Sequence, residues 1–269
     1  MIYKAFKKMF FVTLFWIGIA ICFKSALAAD ITANRGTVDI NGDIRAGDAE
    51  RLAVIISKLE NVGTITVSSS GGDVREALRI AAIVNELRVG VMVNKGSFCI
   101  SACFFIFLEG YPRSAYSAEA DGSLPSAERR QKRIGIVGIH RPYLKSTDGG
   151  SQALESQQQI MKIVRSHLAS KAVPQYLVDE MMAHPSNDIY WLKERDLEAL
   201  GEYEAGVEEA LISKCSYKRH RAIFEERWTK EKKERMYECS TDYWEQIALP
   251  LQKIFISRLK SGHRPWGAK

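Results

Sequence analysis

Ser101 stands between two thiols in Cys99-Ile100-Ser101-Ala102-Cys103 and runs straight into Phe104-Phe105-Ile106-Phe107. A serine hydroxyl is a weak nucleophile at neutral pH, so chemistry there requires a base within hydrogen-bond reach and donors for the oxyanion that an attacked carbonyl becomes. Imidazole titrates near neutrality and can take up and return a proton. Of five histidines, His140, in Gly138-Ile139-His140-Arg141-Pro142, follows a predicted strand, whereas His167 and His184 fall on predicted helix or loop and His220 and His263 in the C-terminal stretch. The backbone N–H of Ala102 is one candidate oxyanion donor. Gly71 or Gly72 is the other, because a glycine lets the main chain turn with positive φ and approach a carbonyl with no Cβ in the way. Asp188 is the candidate for holding the imidazole tautomer, with Asp179 as substitute and a Ser–His pair without an acid as a third arrangement. An acidic turn or N-cap residue accounts for Asp188 equally well.

Cys99 or Cys103 could also serve as nucleophile with His140 as base, an alternative that an oxidising compartment would disfavour. No His-Glu-x-x-His occurs and neither cysteine pair has a second ligand pair nearby, so no metal is expected. No glycine-rich phosphate loop followed by Lys-Ser/Thr is present, so ATP is not expected, and no cofactor is assigned.

Period-2 and period-3.6 patterns supply the elements that must position these groups. Gly36–Ile40 reads as a strand and Ala46–Gly63 as a helix with an apolar face of Leu52, Val54, Ile55, Ile56 and Leu59. Thr64–Ser69 is a β-branched strand ending at the glycine pair, and the helix that follows carries Val74, Ala77, Leu78, Ala81 and Val84. Val89–Asn94 is the next strand. After a turn through Gly96, Ala102–Leu108 reads as a central helix, apolar all round, with Ser101 at its amino terminus. Residues 111–133 are too long for an ordinary connection of about 4–6 residues and read as a lid or insertion. A strand then leads to His140, followed by an amphipathic helix, a second helix, a short strand at Ile189–Leu192 and a helix closed by Gly201. Alternating strands and helices predict an α/β core with a mostly parallel sheet over residues 29–205. Residues 206–269 form a charged, helical and basic appendage, read as packing on that core in preference to serving as a binding arm.

The amino terminus carries Lys4, Lys7 and Lys8, an apolar run from Met9 to Phe23, and Ala26-Leu27-Ala28. That is a signal-peptide pattern over residues 1–28, its run shorter than the roughly 20 residues a spanning helix needs. The expected location is therefore periplasmic or secreted, with membrane contact only through an uncleaved signal. Export permits disulfides among Cys99, Cys103, Cys215 and Cys239. Spacing suggests Cys99 with Cys103 and Cys215 with Cys239, although all three connectivities stay open. A net charge of +6 in 269 residues, part of it in the signal, is too small to argue for nucleic acid.

The order Ser69-Ser70-Gly71-Gly72, Cys99-Ile100-Ser101-Ala102-Cys103, His140-Arg141-Pro142 and Asp188-Ile189-Tyr190-Trp191-Leu192 through Gly201 resembles the Clp protease proteolytic subunit and crotonase superfamily, especially its exported bacterial members. The resemblance covers roughly Thr37–Glu204, with Ser70 where the family's turn has proline. It implies a fold of repeated ββα units and a nucleophile, base and acid at Ser101, His140 and Asp188. It further implies an oxyanion hole from the glycine turn, a peptide or protein substrate, and possible assembly into homo-oligomers. The expected function is an exported serine hydrolase, most plausibly a peptidase. The alternative is a catalytically silent Clp-like binding or assembly module. A crotonase-type enzyme acting on acyl-coenzyme A thioesters and a Ser–Lys peptidase using Lys95 or Lys145 are weaker readings.

Overall fold

A computed structural model describes residues 28–115, 135–143, 151–203, 205–218 and 228–266. The signal-peptide reading and nearly all of the predicted insertion, residues 116–134, lie outside the described residues. Tyr111–Ala115, the start of that insertion, are described, and they include a strand.

The strands are β1 (Asp30–Asn34), β2 (Thr37–Asn41), β3 (Thr64–Ser68), β4 (Gly90–Met92), β5 (Phe98–Ile100), β6 (Arg113–Ser114), β7 (Ile136–Ile139) and β8 (Tyr190–Trp191). The helices are α1 (Asp48–Ile56), α2 (Val74–Leu87), α3 (Cys103–Phe107), α4 (Ser151–Ser170), α5 (Gln175–Ala183), α6 (Glu194–Leu200), α7 (Ala205–Cys215) and α8 (Lys230–Lys260). One sheet runs β1-β2-β3-β4-β6, the other β5-β7-β8. Pairing is parallel from β2 through β6 and between β5 and β7; β1 and β8 add antiparallel edges. The chain is thus a mixed α/β protein. A single parallel bridge between Ser69 and Cys99 joins the two sheets where β3 hands over to β5.

The alternation in β3 follows from its sequence: Ile65 and Val67 are buried while Thr64, Thr66 and Ser68 are half-exposed. β7 is buried at every position, as expected for a strand covered on both faces. α2 opens on Asp73, whose carboxylate accepts the Glu76 N–H at 2.9 Å, a cap worth about 1 kcal/mol. Glu76, itself buried, accepts from the N–H groups of Gly47 and Ala49 at 3.0 and 2.8 Å, which pins the start of α1 to the start of α2.

The main core gathers Leu52, Ile65, Ile80, Phe104, Val164, Leu177 and Phe255 into one cluster. Helix α8, from the predicted appendage, is therefore part of it. Gln252 is 2% exposed; its carboxamide accepts from Val62 N–H at 2.9 Å and donates to Val62 O at 2.8 Å and Leu87 O at 3.2 Å. It completes the backbone bonding of a loop position, Val62, and of the last residue of α2, Leu87, both far away in sequence. Among the described residues no helix is long and apolar enough to cross a membrane.

Candidate active site around Ser101

β5 and β7 run parallel with Ile100 opposite Gly138, and the Ser101 N–H donates to Gly138 O at 2.9 Å. Ser101 and His140 thus leave the same end of two neighbouring strands, with Gly138 and His140 separated by one residue. The sheet, not local sequence, brings them to one edge.

Ser101 has φ 59°, in the left-handed region. A β-carbon there costs about 1–3 kcal/mol and persists only where the surroundings enforce it, which makes such residues markers of functional corners. Cys99 and Cys103 are bonded across the serine, with Cα atoms 5.2 Å apart and both residues fully buried. Cys99 lies in β5 and Cys103 is the first residue of α3, so the bridge ties strand to helix around the turn. Cys215 and Cys239 are likewise bonded, with Cα atoms 5.5 Å apart.

Sequence periodicity placed Ser101 directly on a helix over Ala102–Leu108. The structure puts a strand, β5, before the serine and confines the helix to Cys103–Phe107, with Ala102 and Leu108 as its end caps. Five residues generate little macrodipole, so individual N–H groups must do what the helix end was expected to do.

The glycine turn sits against this corner. A Cβ built on Gly71 would lie 2.7 Å from Ser101 Cβ and 3.1 Å from Ala102 N, and one on Gly72 would lie 2.1 Å from Ile44 O. Their φ angles, 100° and 140°, suit glycine. Gly71 is fully committed: its N–H donates to Ser69 Oγ at 3.1 Å and its carbonyl accepts from Ile44 N at 2.8 Å. Asp73 N–H closes the same ladder on Ile44 O at 2.9 Å. Among the described residues, the N–H groups of Gly72 and Ala102 donate to no backbone or side-chain acceptor. Of the two glycines predicted as donors, Gly72 is the one with an amide to offer.

His140 is 7% exposed, and its Nδ1 lies 3.0 Å from Arg141 O. A carbonyl oxygen only accepts, so Nδ1 carries the proton and Nε2 is the basic nitrogen. This is the tautomer an aspartate would enforce, here selected by a backbone carbonyl. Asp188 faces another imidazole: its Oδ2 is 2.7 Å from His184 Nδ1, while His184 Nε2 is 3.3 Å from Glu180 Oε2. The substitute, Asp179, accepts from Gln175 Nε2 at 2.9 Å. The aspartates are thus not brought onto His140. His184 touches the site through its backbone, its carbonyl accepting the Arg141 N–H at 2.8 Å.

Ser69, which sets the turn, and Arg141 O, which sets the tautomer, belong to the quoted motifs but have no role assigned from sequence. Ser69 had a signal, as a buried-strand serine immediately before a glycine pair; a carbonyl acceptor leaves none. Among the described residues no group of His, Cys, Asp and Glu could hold a metal ion.

No family model and no curated protein matches this chain. Among solved structures, an asparagine-to-aspartate mutant of ClpP1 from Listeria monocytogenes is similar, with 18% identity over 62% of this chain and 87% of that chain, at a TM-score of 0.36. The α/β assignment rests on the strand order and register described above.

Proposed function

We propose that the protein is a serine hydrolase, a Clp-like peptidase of the periplasm or cell exterior, that uses Ser101 as nucleophile and His140 as base. The observation that carries the reading is the left-handed Ser101 turn packed against Gly71, with the amides of the next residues along, Ala102 and Gly72, uncommitted. Ser101 Oγ attacks the substrate carbonyl carbon as His140 Nε2 takes its proton, and the two amides receive the resulting oxyanion. His140 then returns the proton to the leaving group as the acyl bond breaks. Water, deprotonated by the same nitrogen, hydrolyses the acyl-enzyme and frees Ser101. Each oxyanion donor is worth about 3–4 kcal/mol of transition-state stabilisation. Two disulfides, one of them fully buried, support the oxidising location.

The test is labelling by a fluorophosphonate probe: wild type reacts, and Ser101→Ala and His140→Gln do not. Equal labelling of Ser101→Ala would overturn the assignment. A second reading, a silent Clp-like binding module, draws on Asp188 bonding to His184; absence of labelling in folded, oxidised protein selects it. Fractionation of cells expressing the whole chain tests location, recovery in the cytosol with reduced cysteines being the contrary result.

A further inference from the structure

Ala29 is fully buried, although Ala28 immediately before it is exposed. The chain enters the fold across that one peptide bond, and pairing of β1 with β2 begins at the next residue, Asp30 opposite Asn41. Asp48, in the first turn of α1, is also fully buried; its Oδ2 accepts the Ala29 N–H at 3.3 Å and the Arg45 N–H at 2.9 Å. Its Oδ1 pairs with Arg51, whose guanidinium also donates to Ala29 O at 2.7 Å. The Arg51 side chain is 46% exposed, so water shares its charge. Among the described residues, the hydrogen bonds to the buried Oδ2 come from main-chain amides alone.

We propose that the Ala28–Ala29 bond is the maturation site, and that the α-ammonium its hydrolysis leaves on Ala29 forms a buried ion pair with Asp48. This rests on the export reading and is independent of the chemistry at Ser101. Ala26-Leu27-Ala28 puts small residues first and third before that bond, as a signal-processing peptidase requires. Cleavage one residue later would put Leu27 in the third position and discard the residue that the fold buries. Hydrolysis precedes folding, since Ala29 is sheltered afterwards. Water adds across the amide: Ala28 leaves as a carboxylate, and the Ala29 nitrogen, 3.3 Å from Oδ2, takes up the protons as an ammonium. The long neutral hydrogen bond then becomes a charge-assisted one, typically about 2.7–2.9 Å. Asp48 carries the anchor further, because Arg45 N–H shares the same oxygen and the neighbouring Ile44 bonds to Gly71 O and to the Asp73 N–H. The new terminus is thereby tied to the backbone that holds the glycine turn.

Mass spectrometry of protein purified from cells expressing the whole chain should find Ala29 as the first residue. Acetylation by an N-hydroxysuccinimide ester at pH 7 then reads the ion pair directly. An exposed α-amine, with its ordinary pKa of about 8, reacts readily there; the Ala29 amine of folded protein should react at least about tenfold more slowly than that of the same protein in denaturant. A glycine inserted between Ala28 and Ala29 moves the charge one residue out and returns Ala29 N to an amide. That insertion should lower the melting temperature by at least about 3 °C, and by less than about 1 °C in an Asp48→Asn background. Should Asp48→Asn not fold, the acetylation rate of the unsubstituted protein decides alone. Retention of residues 1–28 refutes export itself. Protein that begins at Ala29 but reacts as fast folded as unfolded, or that tolerates the glycine with no change in melting temperature, refutes the ion pair while export stands. A first residue of Ala28 or Asp30 refutes the assigned bond.

Discussion

His140, the proposed base, shows how little of an imidazole's setting need be carried by side chains. A carbonyl in place of a carboxylate fixes the tautomer but brings no negative charge to stabilise the imidazolium that forms when Ser101 loses its proton. Asp188→Asn is therefore expected to change probe labelling by less than about threefold, where loss of a true triad aspartate costs about 10⁴; rate measurements at saturating probe distinguish the two. Ser69→Ala frees the Gly71 amide and loosens the turn, so labelling should slow roughly ten- to hundredfold with little loss of fold. A different histidine governs pH behaviour. The His167 imidazole is held down to about 4, by burial first and by the Lys171 ammonium second. It is neutral when folded and takes up a proton near pH 6.5 when unfolded. Its contribution is thus whole above pH 6.5 and is lost as pH falls through 6.5 toward 4, by about 3 kcal/mol. His167→Gln should flatten the wild-type decline in melting temperature between pH 7 and pH 4.5 by that share.

At the scale of elements, the site is a handover between sheets. The Ser69–Cys99 bridge and the Cys99–Cys103 bond place the glycine turn, Ser101 and the first turn of α3 in one covalently held corner. Replacing both cysteines by alanine should cost about 2 kcal/mol for so short a loop, seen as a fall of roughly 4–8 °C in melting temperature, and should slow labelling because the turn around Ser101 loses its covalent tie. β2, β3, β4 and β7 and the helices between them were legible because β-branched alternation and 3.6-residue periodicity are written locally. β1 and β5 were not. Asp30-Ile31-Thr32-Ala33-Asn34 is polar and strand-like only as an antiparallel edge on β2, and Phe98-Cys99-Ile100 is too short to declare a period, its pairing with β7 lying across a long sequence gap. His140 and the glycine turn end legible strands and Ala102 caps a legible helix, whereas Ser101 leaves β5, so its place beside the end of β7 comes from the register and not from a local pattern. The partner of Asp188 depended on a turn that places His184 four residues before it, and no pattern of residue types announces that choice.

For the whole molecule, Gln252 and the apolar face of α8 make the C-terminal segment structural. Gln252→Leu removes the partners of Val62 N–H, Val62 O and Leu87 O together and should destabilise by at least about 2 kcal/mol, measurable by denaturant unfolding; Gln252→Glu, which retains an acceptor for Val62 N–H, should rescue part of it at low pH. Composition identified this region as helical and charged but could not say what its apolar residues face, because Phe255, Ile256 and Leu259 pack on helices more than 160 residues earlier. That separation has a kinetic meaning. A ribosome or translocon delivering this chain releases the strands around Ser101 and His140 long before Phe255 and Leu259 emerge, so the nascent α/β layers must wait with an open flank until α8 arrives.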